Sequence, residues 1–203
     1  MPDDTSSAEL LERLLAERHS CRGFLPEPLA RSTIERILAR AQRSASWCNA
    51  QPWQVHVLSP AATERARQDL QRHVQAHAAQ PDIAFPQAYT GVYSERRREC
   101  GWSLYAAVGV GRGDREGSAR QTQENFRFFG APHLAIVSTD ADLGSYGAVD
   151  CGAFVGNFML AAQSLGVASI AQAALAAYSP FWRERLPLRG GRPGGCSWVR
   201  PAG

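Results

Sequence analysis

A chain of 203 residues, 44% hydrophobic and 20% charged, has the size and composition of one soluble globular domain, which excludes collagen-like, disordered and disulfide-dense proteins. All 22 residues counted as lysine or arginine are arginine, and this excludes Schiff-base lysine enzymes, P-loop proteins and protein kinases. A net charge of +3 is too small to indicate nucleic-acid binding by itself.

Two amphipathic helices are predicted near the N-terminus. Ser6 or Ser7 can cap the first helix, which we expect to end near Arg18. Ser32 and Glu35 have the spacing of a capping box and predict the start of the second helix. The apolar stripes that we expect to be buried comprise Leu10, Leu11, Leu14 and Leu15 in the first helix and Ile34, Ile37, Leu38 and Ala41 in the second.

Two short strands and three further helices are predicted in the middle of the chain. Residues 55–58 alternate in polarity and residues 132–137 form an apolar run, and both patterns are typical of strands. Residues 61–79 and 94–110 have helical composition, and residues 117–129 can form another short helix. The chain therefore mixes helices with a small sheet.

A long uncharged segment is the most unusual feature of the sequence. Residues 151–182 contain no charged side chain. The helical part, residues 149–165, would span about 26 Å at 1.5 Å per residue, which is short of the roughly 30 Å of a membrane core. It also contains Asn157 and Gln163. We therefore expect no membrane span but a central helix that a second subunit helps to cover.

The cysteines indicate a reducing environment. They are odd in number, and no two form a Cys-x-x-Cys pair, which argues against a zinc site and a disulfide framework. No basic segment followed by an apolar run opens the chain, so no signal peptide is predicted and the cytoplasm is the expected location. Cys151 opens the uncharged helix and is predicted to be a small core residue rather than a nucleophile. The five cysteines are Cys21, Cys48, Cys100, Cys151 and Cys196.

A first polar loop follows the first predicted helix. It places two arginines, a histidine and a serine within five residues, as Arg18, His19, Ser20 and Arg22. Guanidinium groups match the oxygens of a phosphate monoester better than other side chains do, so the loop is a candidate anion site. The alternative is an ordinary helix C-terminus, where arginines complement the helix dipole without any ligand.

A second polar loop connects the second helix to the first strand. Its side chains Ser46, Asn49 and Gln51 can both donate and accept hydrogen bonds, which suits the carbonyl groups and nitrogens of a heteroaromatic ring. The alternative is a loop without a ligand, because serine and asparagine side chains commonly bond to their own backbone.

Together these segments resemble the FMN-dependent nitroreductase family, over about residues 8–186, and within it a nitrobenzoate-reductase-like subgroup. The matching pieces are Arg18-His19-Ser20-x-Arg22-x-Phe24, Ser46-x-x-Asn49-x-Gln51-Pro52-Trp53, Asn125-Phe126-Arg127-Phe128-Phe129-Gly130-Ala131-Pro132-His133, and Asp150-Cys151-Gly152-x-Phe154 continuing through residues 160–166 to Gln172. The resemblance implies an α+β sandwich, a mostly antiparallel sheet wrapped by helices. It also implies an intertwined homodimer with two FMN sites at the subunit interface.

The resemblance also implies a set of cofactor-binding residues. Arg18 and Ser20 match phosphate contacts, His19 matches a flavin contact, and Arg22 matches a cation near the pyrimidine edge of the flavin. Ser46 and Asn49, with Gln51 in the same motif, match positions that reach the flavin of the partner subunit. The segment along the ring near its N5 edge comprises Ala171, Gln172 and Ala173.

The activity implied by the resemblance is electron transfer from NADH or NADPH, through FMN, to a nitroaromatic or quinone-like acceptor. The chemistry belongs to the cofactor, so we expect no catalytic protein nucleophile and no metal. His73 and His77 lie four residues apart, but no carboxylate or cysteine joins them into a metal site.

The last residues depart from the family pattern. Eight of the last 17 residues are glycine or proline, where the family would place a strand, an arm crossing to the partner and late basic residues. We therefore expect one FMN-binding domain over residues 1–186 and an aberrant, unstructured tail over residues 187–203. This tail leaves open a nonenzymatic relic or weak flavin binder. A third hypothesis is an arginine-rich helical nucleic-acid binder, although Glu95 and Glu99 flank the arginine run 96–98 and favour a solvated helix face.

Overall fold

The computed structural model describes residues 6–186 and, as backbone, residues 193–201. The described chain forms a four-stranded sheet with helices on both of its faces. In chain order the elements are α1 (Ser7–Glu17), α2 (Arg31–Ala41), β1 (Gln54–Leu58), α3 (Pro60–Ala76), α4 (Gly91–Ala107), α5 (Arg115–Gln123), β2 (Leu134–Asp140), α6 (Gly144–Gln163), β3 (Ser169–Ala171), α7 (Ala173–Ala176), α8 (Ser179–Arg185) and β4 (Pro193–Pro201). Short 3-10 turns span Trp47–Asn49, Phe128–Gly130 and Ala141–Leu143.

The sheet has the strand order β1-β2-β4-β3, and each neighbouring pair is antiparallel. His56 of β1 lies opposite Ile136 of β2, and Ile170 of β3 lies opposite residue 200 of β4. The β2–β4 register shifts between Val137 and Thr139, which is the signature of a bulge. The mostly antiparallel sheet expected from the sequence is confirmed.

Strand β4 differs from the expectation of an unstructured tail. Residues 193–201 fill the gap between β2 and β3, so the sheet extends beyond the expected domain limit at residue 186. Glycine and proline have low strand propensity, but hydrogen bonds available from strands on both sides override it. Residues 187–192 and 202–203 lie outside the described residues, and the aberrant origin of the tail stays a hypothesis.

The two N-terminal helices begin in different ways. Ser6 accepts the N–H of Glu9, and the Glu9 carboxylate accepts the N–H of Ser6, so α1 has a full capping box and ends at Glu17 as expected. The capping box predicted at Ser32 is wrong, because α2 already begins at Arg31 and its N-cap residue contributes no side-chain bond. The Glu35 carboxylate accepts Arg31 Nε at 2.7 Å instead of closing a box.

The leucine stripe of α1 is not buried as the sequence predicts. Leu10, Leu11 and Leu15 are exposed, and α1 holds no buried residue. The helix touches the chain near the C-terminal end of α6, where Glu17 lies beside Gln163. Its apolar stripe therefore stays open in a single chain.

Strand β2 divides the core into two clusters, because successive side chains of a strand point to opposite faces. Ala135 and Val137 pack with α2 and with Phe154 and Phe158 of α6 on one face. Leu134 and Ile136 pack on the other face, against a cluster from α3, α7 and α8. This double burial explains why β2 is a continuous apolar run, and it forms the sandwich expected from the sequence.

Helix α6 is only partly enclosed. The side that faces the sheet is buried, whereas Gly152, Ala153 and Asn157 are exposed in the single chain. At its N-terminal end, Trp47, Tyr146 and Val149 are each between 63% and 67% exposed. Among the described residues, no helix is both long enough and apolar enough to cross a membrane.

Candidate functional site

The first polar loop lies against β3. Ser20 forms a parallel bridge with Ser169, and the Cys21 N–H donates to the Ser169 carbonyl at 3.2 Å. Since β3 ends at Ala171, this pairing brings the Arg18–Arg22 loop close to the Ala171, Gln172 and Ala173 segment. The structure therefore brings together two of the three groups of site residues that the sequence predicts.

The side chains of this loop are hydrogen-bond donors, and the loop contains no carboxylate. His19, Ser20 and Arg22 are exposed, Arg18 is half-buried, and Arg22 Nη1 donates to the Ser20 carbonyl at 3.3 Å. Within residues 6–186, neither arginine forms an ion pair with a carboxylate. Two guanidinium groups, a hydroxyl and an imidazole match the charge and hydrogen-bonding needs of a phosphate and a flat ring, so these residues fit the FMN that the resemblance implies.

The segment after β3 turns its side chains alternately outward and inward. Ala171 and Ala173 are exposed, whereas Gln172 is 2% exposed. Gln172 Nε2 donates to the main-chain carbonyl and to Oδ1 of Asn125, at 3.2 and 3.3 Å. Its Oε1 is enclosed and has no partner among the described residues. The outward surface of this segment therefore consists of backbone and alanine methyl groups, and the Gln172 amide points into the protein.

The second polar loop has an unusual backbone. Cys48, Asn49 and Gln51 have φ values of 50°, 55° and 47°, in the left-handed region that side chains disfavour. The Asp150 carboxylate of α6 accepts the Trp47 N–H at 3.1 Å and holds the loop in this shape. Such strained loops are frequent at functional sites.

Hydrogen bonds within the second loop occupy part of its polar side chains. Ser46 Oγ accepts the Gln51 N–H at 2.9 Å, and Asn49 Oδ1 accepts Gln51 Nε2 at 2.8 Å. Gln51 Oε1 in turn accepts a hydrogen bond from Gln42 Nε2 at 2.8 Å, so both the oxygen and the nitrogen of the Gln51 amide are hydrogen-bonded. The Ser46 O–H and the Asn49 Nδ2 group remain as donors that other described residues do not use.

The two polar loops lie near opposite ends of α6. Glu17, next to Arg18, contacts Gln163, whereas Trp47 bonds to Asp150. These two positions of α6 are 13 residues apart in the sequence, or roughly 20 Å at 1.5 Å per residue. A single chain therefore does not bring Ser46, Asn49 and Gln51 to the Arg18–Arg22 loop.

A strained turn just before β2 escapes the sequence analysis. Phe128 and Phe129 have φ values of 56° and 50° and are buried, although left-handed backbone is rare for such side chains. Arg67 donates to the carbonyls on either side, to Arg127 at 2.8 Å and to Ala131 at 2.6 Å. Nothing in the residue pattern points to this conformation, because phenylalanine is not a residue that prefers it.

Cys151 is not suited to act as a nucleophile, and His73 and His77 do not form part of a metal site among the described residues. Burial raises the pKa of Cys151 to about 11, so the thiol stays protonated at neutral pH and is a poor nucleophile. The rings of His73 and His77 stack at 4.0 Å. The part of the chain that the structure describes holds no cluster of three or more histidine, cysteine or acidic side chains suited to a metal.

Comparison with known proteins places this geometry in a family. The model of the Nitroreductase family matches residues 15–196. The chain is 34% identical to nitroreductase NfnB of Mycolicibacterium smegmatis over 88% of this chain and 77% of that protein. It is 31% identical to 4-nitrobenzoate reductase of Pseudomonas putida, over 87% of this chain and 78% of that protein.

The fold agrees with solved structures at the level of the whole chain. The crystal structure of the FMN-dependent nitroreductase NfnB from Mycobacterium smegmatis in complex with NADPH has a TM-score of 0.90 and 30% identity, covering 97% of this chain and 88% of that one. The crystal structure of the FMN and NADPH-dependent nitroreductase NfnB from Sphingopyxis sp. strain HMH has a TM-score of 0.86 and 32% identity, covering 94% of this chain and 86% of that one.

These matches confirm the resemblance and the α+β sandwich expected from the sequence. They give no support to a nucleic-acid-binding protein or to a nonenzymatic relic. Because the family match spans most of the chain and the fold agrees with that of solved relatives, the chain belongs to the nitroreductase family.

Proposed function

We propose that this chain is a flavin-dependent oxidoreductase that transfers electrons from NADH or NADPH, through FMN, to nitroaromatic or quinone-like acceptors. The observation that carries this proposal is the exposed donor set on the Arg18–Arg22 loop. Its two guanidinium groups have no carboxylate partner within residues 6–186, and they lie beside the exposed backbone at the end of β3. A site of this kind suits a ligand that joins a phosphate to a flat ring system.

Four residues of this loop hold different parts of the cofactor. Arg18 and Ser20 bind the phosphate, His19 contacts the flavin, and Arg22 places a fixed positive charge near the pyrimidine edge. Bound FMN supplies the redox chemistry, taking a hydride from the nicotinamide and passing electrons to the acceptor. The Arg22 charge favours negative charge on the flavin, and the exposed Ala171 and Ala173 leave room beside the ring.

A homodimer completes the site. Ser46 and Asn49 retain free donors but lie roughly 20 Å along α6 from the Arg18–Arg22 loop, by the helical rise per residue. A second copy can bring its own Ser46–Gln51 loop to that distant half-site. The exposed face of α6 and the exposed leucines of α1 support this arrangement, since apolar surfaces of this kind are typical of subunit contacts. Each flavin then contacts residues from two chains.

The relatives support the choice of cofactor, donor and acceptor. One solved relative is named as FMN-dependent and in complex with NADPH, and another as FMN and NADPH-dependent. A third relative is named as a 4-nitrobenzoate reductase. We extend these chemistries to this chain as its substrate class. The unpaired Cys21, Cys48, Cys100 and Cys151 are consistent with a reducing cytoplasm, which stays our proposed location.

Spectroscopy of the purified protein tests the proposal. We expect a yellow protein, or an apoprotein that takes up added FMN, with flavin bands that bleach on anaerobic addition of NADH or NADPH. Addition of a nitrobenzoate should restore the bands. A colourless protein that ignores added FMN would overturn the function, and bleaching without recovery would overturn the acceptor class.

A further inference from the structure

A row of hydrogen bonds from Thr122 through Asn125 to Gln172, here called the relay, holds the inner side of the segment at the end of β3. Ala171 and Ala173 face outward, and Gln172 between them is the side chain that fastens the segment to the interior. Gln172 is the N-cap residue of α7, yet its side chain makes no capping bond and turns to Asn125 instead. The Gln172–Asn125 contact therefore fixes the middle of the segment from the inner side, in addition to the pairing of β3 with β4.

The amide groups of the relay can be oriented in one way only. Asn125 Nδ2 donates to the Thr122 carbonyl at 3.1 Å, which directs Asn125 Oδ1 toward Gln172. Gln172 Nε2 donates to that oxygen and to the Asn125 main-chain carbonyl, and a main-chain carbonyl accepts but cannot donate. If the Gln172 amide were flipped, its Oε1 would face the two acceptor oxygens of Asn125 and no hydrogen bond could form. The order of donors and acceptors is thereby fixed from α5 to the end of β3.

The base of the relay is rigid. Asn125 stands just after α5 and just before the left-handed Phe128 and Phe129, whose rings are buried. Arg67 of α3 clamps the carbonyls of Arg127 and Ala131 on either side of those rings. A backbone held in this way has little freedom to shift, so Asn125 offers Gln172 a fixed anchor.

We propose that Asn125 is a positioning residue for the redox site, which sets the place of the Ala171–Ala173 segment at the flavin ring through Gln172. This inference rests on the proposed function. The hydrogen bonds of the Asn125 side chain go to Thr122 and Gln172. Its effect on the flavin is therefore indirect, through the backbone and methyl groups that line the ring edge.

The test compares the bound flavin in five variants with the parent: Asn125→Ala, Asn125→Asp, Gln172→Ala, the double alanine variant, and the control Gln123→Ala. Gln123 is exposed on the same turn, and its side chain makes no hydrogen bond to Gln172. With FMN saturating, the absorbance bands and the midpoint potential are measured. These two readouts report the surroundings of the ring, and a loss of stability elsewhere in the fold would not move them.

We expect Asn125→Ala and Gln172→Ala to shift the bands and the potential in the same direction. The shift in Asn125→Ala should be the smaller one, because its main-chain carbonyl still accepts from Gln172 Nε2. The double variant should match Gln172→Ala, because without the Gln172 amide the Asn125 side chain has nothing to hold at β3. Asn125→Asp keeps an oxygen for Gln172 Nε2 and should restore part of the parental spectrum, and Gln123→Ala should equal the parent. Parental bands and potential in Asn125→Ala, or additive shifts in the double variant, would overturn the proposal.

A second measurement, on the flavin-free protein, separates the relay from the proposed function. Amide hydrogen exchange over residues 169–176 should be about tenfold faster in Asn125→Ala than in the parent, while β2 should exchange as before. Unchanged exchange would overturn the relay even if FMN binds. If the parent takes up no FMN, the proposed function fails and the role at the flavin fails with it, whereas this exchange still decides whether Asn125 holds the segment.

Discussion

At the scale of single residues, Arg22 has the clearest expected effect on the chemistry. Its guanidinium is exposed and forms no ion pair within residues 6–186. We expect Arg22→Ala to make the flavin potential more negative and to lower turnover on the order of tenfold, because a fixed charge near developing negative charge is lost. Potentiometry and steady-state kinetics measure these two effects.

A matched arginine variant shows whether the effect of Arg22 is local. The Arg31 side chain is 92% exposed on α2, and among the described residues it pairs with Glu35 alone. Arg31→Ala should therefore leave the flavin potential and turnover at parental values, since exposed pairs contribute little. If Arg22→Ala also keeps both values, the role of Arg22 near the flavin is wrong.

The lowered pKa of His73 predicts that the folded protein loses stability in weak acid. Burial, and then the positive charges of His77 and Arg185, lower the pKa of His73 below its ordinary 6.5, while Glu184 partly opposes them. The unfolded chain then binds a proton more readily than the folded one, so stability contributed above pH 6.5 is lost as the pH falls toward the folded pKa. Urea unfolding on either side of that pH measures the loss.

The variant His73→Gln isolates this contribution. It should lose less stability in acid than the parent does, because the group that takes up the proton is absent. Burial also lowers the pKa of His56, but His56 is present in each protein, so the difference between them reports His73. Identical acid losses in the parent and in His73→Gln would contradict the prediction.

At the scale of elements, Arg67 joins α3 to the segment before β2. Its guanidinium donates to the Arg127 and Ala131 carbonyls, pairs with Glu64, and lies 5.6 Å from the centre of the Phe128 ring. We expect Arg67→Ala to lower the free energy of unfolding by about 2–3 kcal/mol, because carbonyls bonded to a charged donor lose it. Denaturant unfolding measures this change.

The exposed Arg65 on the same helix provides the comparison for Arg67. No hydrogen bond or ion pair of Arg65 is found among the described residues, so Arg65→Ala should change stability by less than about 0.5 kcal/mol. Equal losses in the two variants would show that the clamp on the Phe128–Phe129 segment contributes nothing specific.

Regular elements were predictable where periodicity is strong. β1 and β2 were expected from alternation and from an apolar run, and a cap of α1 was expected at Ser6 or Ser7, although not as a capping box. β4 was not, because its stability comes from two neighbouring strands rather than from its own glycine- and proline-rich residues. The cap at Ser32 failed for a local reason, since Arg31 competes for Glu35.

At the scale of the whole molecule, the exposed face of α6 predicts how a substitution there changes the oligomeric state. No atom lies within 4 Å of a Cβ built on Gly152, so the single chain has room there. If a second copy packs on this face, Gly152→Leu should convert the dimer to monomers and weaken FMN binding together with it. Light scattering and flavin fluorescence at several protein concentrations measure the two effects.

A glycine on the inner side of the same helix provides the comparison, because a substitution there should affect the fold rather than the dimer. A Cβ at Gly147 would lie 2.9 Å from Leu143 Cβ and from Thr139 Oγ1. Gly147→Ala should therefore destabilise the fold by about 1–3 kcal/mol, whatever the oligomeric state. A Gly152→Leu protein that remains dimeric and binds FMN normally would show that α6 is not the subunit contact.

The residue types pointed to the candidate site loops, and the resemblance implied that loops of two subunits meet at each flavin, but no residue pattern shows the contacts within one chain. Residue types alone pointed to Arg18–Arg22 and to Ser46–Gln51, because guanidinium, hydroxyl and amide groups are the chemistry of anion and ring recognition. Their separation along α6, the inward turn of Gln172 and its anchor on Asn125 follow from tertiary contacts. Such contacts carry no local pattern, so they were out of reach.

The position of β4 has a consequence for biosynthesis. This strand is made last of the four but lies between β2 and β3, so the sheet stays open until residue 201 has left the ribosome. Until then β3, on which the Arg18–Arg22 loop rests, has no neighbouring strand to pair with. A nascent chain arrested with residues 193–201 still inside the ribosome should therefore fail to capture flavin, and the emergence of β4 should be the moment at which colour can first appear.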